Sequence, residues 1–262
     1  MNDLNRHISE PDSLVADAIS RISLQPDRAE GWHLLGQGLL RCNLVQGART
    51  ALKKALEIEM RPSVSDHYDS IFRNEIEIHS VRDRLELFET LCRNQAVLHV
   101  GCCDFPLFRP ETNLHLKLHR ICSVLDGLDT DQSGLQELAS YAPGNYYHSA
   151  AQISSVYDLL LVPETIEHVG NIADFLRELD TIRFNRCLIT APNAFLPNDN
   201  GNFWIDDSTY VEFNHPDHTC WFSPATLSRC IHKFTDWHIE AVYLLNCSHM
   251  VGCLCRKPVD TQ

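Results

Sequence analysis

The stretch that decides the fold is Ala96-Val97-Leu98-His99-Val100-Gly101-Cys102-Cys103-Asp104-Phe105-Pro106, AVLHVGCCDFP. A short apolar run closed by a glycine reads as a buried strand that turns sharply into a loop. Loops that hold a nucleotide's phosphates usually carry two or three glycines, so that backbone N–H groups can approach the ligand closely. Here Cys103 and Phe105 stand where those glycines or the helix-packing residue would be. Asp104 adds a negative charge, which disfavours a phosphate and suits a ligand with a cationic centre. The same stretch therefore reads either as a cofactor loop of unusual composition or as an ordinary strand end with two cysteines.

From Ala96 onward, short apolar runs alternate with helical segments, the pattern of an α/β domain with a mostly parallel sheet. The expected strands are AVLHV, ICSVLDGLD, YDLLLV, RCLITA, HIEAVYLL and MVGCLCR, with helices near residues 111–120, 134–141, 171–182 and 223–234. Residues 192–222 form a polar stretch too long for a plain connection, and loops of that length usually carry function. In open α/β sheets, ligands sit beyond the carboxyl ends of the strands, where the winding direction reverses. The second strand ends in Gly127-Leu128-Asp129-Thr130-Asp131. A carboxylate at Asp129 can accept two hydrogen bonds from ribose hydroxyls; a solvated turn acid is the competing reading. YDLLLVPETIEHV presents Pro163, Glu164, Glu167 and His168 just past its strand, and CLITAPNAF presents Pro192 and Asn193.

The chain has 262 residues, 44% of them hydrophobic, enough for a full core. Its formal charge of -13 argues against a nucleic-acid partner, whose binding rests on clustered Lys and Arg. The N-terminal MNDLNRHISEPDSLV lacks a basic region leading into an apolar one, and no apolar run approaches the roughly 20 residues of a membrane span, so a cytoplasmic protein is expected. No two of the 11 cysteines form a C-x-x-C pair, and several lie in apolar runs. Reduced, mostly buried thiols are expected.

Upstream of the α/β region, apolar residues from Leu14 to Met60 recur at helical spacing, broken at Pro26-Asp27. Trp32, Leu35, Gly36 and Leu39, followed by Ala48, Leu52 and Ala55, resemble the two helices of a tetratricopeptide repeat, with Ala18 and Pro26 ending a preceding one. Small residues at Gly36, Ala48 and Ala55 let paired helices approach closely. One and a half repeats do not make a stable solenoid, so a helical cap and a peptide-binding groove both remain open. Three segments are expected: a repeat-like helical segment at 1–65, a linking helix at 66–90 and the α/β domain at 91–258.

Taken in order, VLHVGC, GLDTD, YDLLLVPETIEHV and TAPN resemble the class I S-adenosylmethionine-dependent methyltransferases, over residues 96–257. The matching positions are Val97, Leu98, Gly101 and Cys102; Gly127, Asp129 and Asp131; Asp158, Glu164, Glu167 and His168; and Thr190, Pro192 and Asn193. The resemblance implies a Rossmann-like seven-stranded sheet whose last strand is antiparallel, with S-adenosylmethionine as cofactor and S-adenosylhomocysteine as product. It also implies that Gly101 and Cys102 line the methionine side of the cofactor, with Asp104 in the same loop. By the same resemblance Asp129 and Thr130 lie at the ribose, Ser149 and Ala150 at the adenine, and Pro163 and Glu164 beside the cofactor. The chain departs from the pattern at His99, where relatives commonly carry an acid, and at Cys103 and Phe105.

Methyl transfer is an in-line displacement, and a hydroxyl acceptor needs a base to take its proton. NHPDHTCWFS offers His215 or His218 as that base and Asp217 to orient an imidazole, with Trp221, Phe222, Phe203, Trp204 and Tyr210 shaping an acceptor pocket. Holding the loop is the competing role for the histidines, and Glu167-His168 is the second candidate. Zinc on His215, His218 and Cys220 lacks a nearby fourth ligand, so no metal is assigned. The expected acceptor is a hydroxyl, or an amine, of a small metabolite or saccharide. Two rival readings are a protein or peptide acceptor recruited by the helical segment, and an inactive methyltransferase-like scaffold. A nucleotide-sugar or NAD enzyme would need a phosphate-cradling loop, which GCCDFP does not supply.

Overall fold

The structure, a computed structural model, describes residues 11–59, 73–104, 108–195, 203–206, 209–212 and 215–258. The chain forms two compact units, Met1–Arg73 and Asn74–Gln262.

The first unit holds three helices, α1 (Pro11–Leu24), α2 (Ala29–Arg41) and α3 (Val45–Glu59). Small residues set their spacing. A Cβ on Gly36 would lie 2.5 Å from Leu52 Cγ of α3, and one on Gly38 would lie 2.8 Å from Val15 Cγ2 of α1. Ala18, Ala48, Ala51 and Ala55 are buried at these helix contacts. The Trp32 indole N–H closes the turn before α2 by donating to Pro26 O at 2.9 Å.

The second unit is a mixed α/β sheet of eight strands flanked by helices. In chain order it runs β1 (His79–Val81), α4 (Arg84–Cys92), β2 (Ala96–Val100), α5 (Leu114–Leu118), β3 (Val124–Leu128), α6 (Gln132–Tyr141) and β4 (Tyr146–Tyr147). A 3₁₀ turn (Ala150–Gln152) follows, then β5 (Val156–Pro163), α7 (Ile172–Asp180), β6 (Arg183–Pro192), β7 (Phe203–Asp206), β8 (Thr209–Glu212), α8 (Pro224–Phe234), β9 (His238–Leu245) and β10 (Met250–Arg256). The strand order is β1-β9-β10-β6-β5-β2-β3-β4, and β7 and β8 pair antiparallel as a separate ribbon. All pairs from β4 across to β6 are parallel, while β10 runs antiparallel to both β6 and β9.

The sheet has one strand more than the seven expected. The extra strand is β1, which pairs parallel with β9 at the edge, His79 opposite Tyr243. It lies where the sequence predicts a linking helix over 66–90. Residues 66–72 fall outside the described ones, and the helix starts only at Arg84, where the Asp83 carboxylate accepts from Leu85 N–H at 2.9 Å. Alternating His-Ser-Val cannot cover a core stripe, but it can complete a sheet edge.

The central strands are apolar in unbroken runs because both faces of the sheet are covered. Leu98, Val100, Leu160 and Val162 face one core with Leu176, Leu179, Leu227 and Ile231 of α7 and α8. Val97, Leu159 and Leu161 face the other, with Phe88, Cys92 and Leu118. Helix starts are written in the sequence as caps: Asn113, Asp131 and Asn171 each accept from a first-turn N–H, and Ser223 and Thr226 form a capping box. All eleven cysteines are free thiols. Among the described residues, no helix is long and apolar enough to cross a membrane.

Candidate active site

The winding reverses between β2 and β5, and the loops that leave these strands and β3 enclose a cleft. One lobe, of about 840 Å³, is lined by residues that include Gly101, Cys103, Asp104, Asp129, Pro163 and Glu164. The other, of about 510 Å³, shares Gly101, Asp129, Thr130, Thr165, His168 and Asp217 and extends to His148 and Ser149.

Gly101 is required at the turn for two reasons. Its φ is +70°, a region that favours glycine, and a Cβ would sit 2.3 Å from Thr165 Oγ1. Thr165 crosses from the β5 loop to bond Pro163 O at 3.0 Å and Val100 O at 3.3 Å, so the two loops at the reversal are in direct contact. Asp129 secures the loop from β3. Its Oδ2 accepts from Cys103 N at 2.8 Å and its Oδ1 from Asp131 N at 3.0 Å. Asp131, which follows it, caps α6, with Oδ1 accepting from Ser133 N at 3.0 Å.

Cys102 points away from the cleft into a small core with Leu135 and Leu138, and its Sγ lies 2.7 Å from where a Cβ on Gly127 would be. Its neighbour Cys103 lines the cleft instead. Asp104 also lines it, with Oδ2 accepting from Asn113 Nδ2 at 3.0 Å, and burial raises its pKa. Ser149 lines the second lobe, and Ala150 is buried behind it. Glu164, at φ 47°, forms an ion pair with Arg84 of α4. Phe105 lies outside the described residues, and Phe203, Trp204 and Tyr210 outside the described side chains. Phe222 is buried in the core, while Asn193 donates from Nδ2 to Phe195 O and Ser248 O, each at 2.9 Å, bracing the loop after β6.

Two features were not legible as site components. Arg84 has no local signal, because it comes from a helix ahead of β2. His99, read only as a departure from pattern, ends a buried relay. The Tyr146 hydroxyl donates to Ala142 O at 2.9 Å and so accepts from His115 Nε2–H at 3.2 Å. His115 Nδ1 then carries the lone pair and accepts from His99 Nδ1–H at 3.3 Å. Burial lowers both imidazoles' pKa, His115 to about 4, so both are neutral. His99 therefore lines the cleft with an unprotonated Nε2, buried and without a partner.

At the far end of the larger lobe, His215, Asp217 and His218 meet Glu167 and His168. The two segments are clamped together, since Thr219 donates to Glu167 O from N at 3.0 Å and from Oγ1 at 3.1 Å. His168 Nδ1 lies 3.2 Å from Asp217 Oδ2, and Asp217 N–H donates to His215 Nδ1 at 3.3 Å. Ring centroids of His168 are 5.1 Å from His215 and 4.6 Å from His218. Glu167 is fully buried with both carboxyl oxygens unpartnered, and burial pushes its pKa up to about 8. His218 Nε2 lies 3.9 Å from Glu167 Oε1, and burial followed by the two neighbouring imidazoles lowers its pKa. Cys220 lies beside Glu167 O, and it is His168 that completes the imidazole group.

No protein-family model and no curated protein sequence matches the chain. Solved structures similar to it include a putative type 11 methyltransferase from Sulfolobus solfataricus, 13% identical, covering 70% of this chain and 96% of that one with a TM-score of 0.46. An S-adenosylmethionine-dependent methyltransferase from Mesorhizobium loti is 11% identical, with coverage of 66% and 96% and a TM-score of 0.46. Magnesium protoporphyrin IX methyltransferase from Synechocystis PCC 6803, with bound SAH, is 10% identical, with coverage of 67% and 80% and a TM-score of 0.43. Likeness this distant says nothing of chemistry, which has to come from the cleft itself.

Proposed function

We propose that residues 91–258 form an S-adenosylmethionine-dependent methyltransferase that acts on a hydroxyl, or an amine, of a small metabolite or saccharide. The observation that carries this reading is the charge of the cleft. Asp104, Asp129, Asp131, Glu164 and Asp217 line the larger lobe, against one guanidinium, Arg84, already paired with Glu164. Such a wall repels phosphates and favours a cationic ligand. A sulfonium nucleoside has the cation without the phosphate.

Asp129 has both oxygens engaged by main-chain N–H groups, which supports the scaffold reading. An ionised carboxylate has about four acceptor sites, however, so two remain for ribose hydroxyls. His99 Nε2 offers a lone pair at the same wall, the partner an ammonium seeks. When bound, S-adenosylmethionine would supply the methyl group and, in its sulfur, the leaving group that keeps the C–S electron pair. The acceptor's proton leaves towards the cluster of His215, Asp217 and His218. Asp217, exposed on the rim, passes it to solvent.

Calorimetric titration with S-adenosylhomocysteine and, separately, NAD⁺ tests the reading. Binding of the first without the second is expected; no binding of S-adenosylhomocysteine at millimolar concentration sinks it. Replacing the amine of the nucleoside by hydrogen is expected to weaken binding to the native chain and to make little difference in His99→Phe.

A further inference from the structure

We propose that His168, His215 and His218, together with Glu167, bind a divalent transition-metal cation at the acceptor end of the cleft. One ring nitrogen from each histidine lies within 4.8 Å of the other two. Three imidazoles gathered this closely repel one another when protonated. When neutral, they offer converging lone pairs.

Glu167 is the second, independent observation. Its side chain is fully buried, neither oxygen has a hydrogen-bond partner, and Oε1 lies 3.9 Å from His218 Nε2. A buried carboxyl left without a donor is costly. A cation placed among them takes the carboxyl and the rings' lone pairs as ligands together.

Asp217 provides the outer support. By accepting from His168 Nδ1–H at 3.2 Å it fixes that ring's tautomer and leaves the Nε2 lone pair free, as carboxylates do behind metal-bound histidines. The clamp from Thr219 to Glu167 O holds the two ligand-bearing segments in register. Three nitrogens and one carboxylate oxygen suit zinc in a tetrahedral site, or cobalt and manganese with water positions open. Bonds near 2.1 Å bring the nitrogens to about 3.4 Å apart, so the rings rotate inward on a fixed backbone. The 3.3 Å bond from Asp217 N to His215 Nδ1 is the contact that a cation on that nitrogen displaces.

Cys102, Cys103 and Asp129 also bring ligand atoms within 4.8 Å of one another. Asp129 is spent on two main-chain N–H groups there and Cys102 is packed in a core, so this group already has its partners. A test has to tell the two apart, and cobalt(II) does, because thiolate ligands give an intense charge-transfer absorption that nitrogen and oxygen ligands lack.

The experiment is a Co²⁺ titration of the full chain after chelator treatment, read by visible absorption and calorimetry. We expect one equivalent, with d–d bands and no thiolate charge transfer. The doubly substituted His168→Ala/His218→Ala chain should lose it, and Glu167→Gln should weaken it by about ten- to a hundredfold. Asp217→Asn changes an exposed carboxylate, so it should leave the fold intact and weaken binding about tenfold. Thermal melts report folding of each variant, and Asp217→Asn decides if the others unfold. No uptake, a charge-transfer band that survives the double substitution, or an unchanged affinity in Asp217→Asn overturns the proposal. Cation binding stands apart from the methyl-transfer reading: a chain that ignores S-adenosylhomocysteine yet takes up Co²⁺ on the histidines refutes only the latter.

Discussion

The two halves of the cleft are built in opposite ways. Around Gly101 and Asp129, main-chain groups and one carboxylate satisfy each other: Cys103 N and Asp131 N end on Asp129, and Gly101 N on Leu128 O at 2.8 Å. Around His168, His215, His218 and Glu167, side chains crowd together while buried oxygens and a ring nitrogen stay unpartnered. A satisfied network holds one geometry before any ligand arrives; an unsatisfied one gains its partners from the ligand. The first half is thus preformed, and the second is completed by what enters it.

Four substitutions or conditions can break this contrast. Asp129→Ala should have the largest effect. It frees two main-chain donors held by an ionised acceptor, each worth about 1.5–3 kcal/mol, so affinity for S-adenosylhomocysteine should fall about a thousandfold by calorimetry. Native-like binding would show that the loop does not depend on its latch. Acid should act next, through the relay behind His99. His115 has its pKa lowered from 6.5 to about 4 in the fold, so its contribution is complete above pH 6.5 and is lost as pH falls towards 4, where the unfolded chain takes up the proton first. Integrated over that window the loss approaches about 3 kcal/mol. Urea midpoints measured from pH 7 to 4 should show it, and His115→Phe should flatten the curve.

His218→Ala should leave cofactor affinity within about twofold and lower turnover about a hundredfold, the scale of a group at the acceptor end whether it takes the proton itself or holds a cation there. Equal losses in both would erase the division into halves. Gly101→Ala should be the mildest, costing about 2 kcal/mol in chemical denaturation, since a left-handed φ is strained for alanine and Thr165 must move aside. Pairing it with Thr165→Ser should not rescue it if the clash is with Oγ1, which serine keeps; rescue would place the strain on the methyl group instead.

Much of the sheet was legible because its strands are buried on both faces. AVLHV became Ala96–Val100, and DLLLVP ran through to Pro163. Short edge elements were not: His79–Val81 and Tyr146–Tyr147 are too brief for a periodic signal, and the ribbon of β7 and β8 lay hidden in a stretch read as a polar loop with pocket-shaping aromatics. The helix expected near 111–120 shortens to Leu114–Leu118 because the Asn113 side chain caps it late. In the site, Gly101, Asp104, Asp129, Thr130, Ser149, Pro163, Glu164, His215, Asp217 and His218 meet around one cleft, while Cys102, Ala150 and Asn193 are buried outside its lining. Their partners were hidden by distance along the chain. Arg84 reaches Glu164 from another element, and His168 joins His215 and His218 through the Thr219 clamp and its own bond to Asp217. Of the two acids in the β3 stretch, Asp126 serves structure alone, its Oδ2 accepting from Tyr157 at 2.7 Å.

The Tyr146–His115–His99 relay carries a further consequence. It fixes the sense of three hydrogen bonds from one end, so a single hydroxyl at the sheet edge dictates whether the cleft wall shows a donor or an acceptor. Loss of that hydroxyl frees His115 to reverse its tautomer, which would turn His99 round electronically without moving an atom of its ring. Ligand preference at this wall is therefore encoded partly at Tyr146, a residue outside the larger lobe's lining, and could drift by one edge-strand substitution while every lining residue stayed the same.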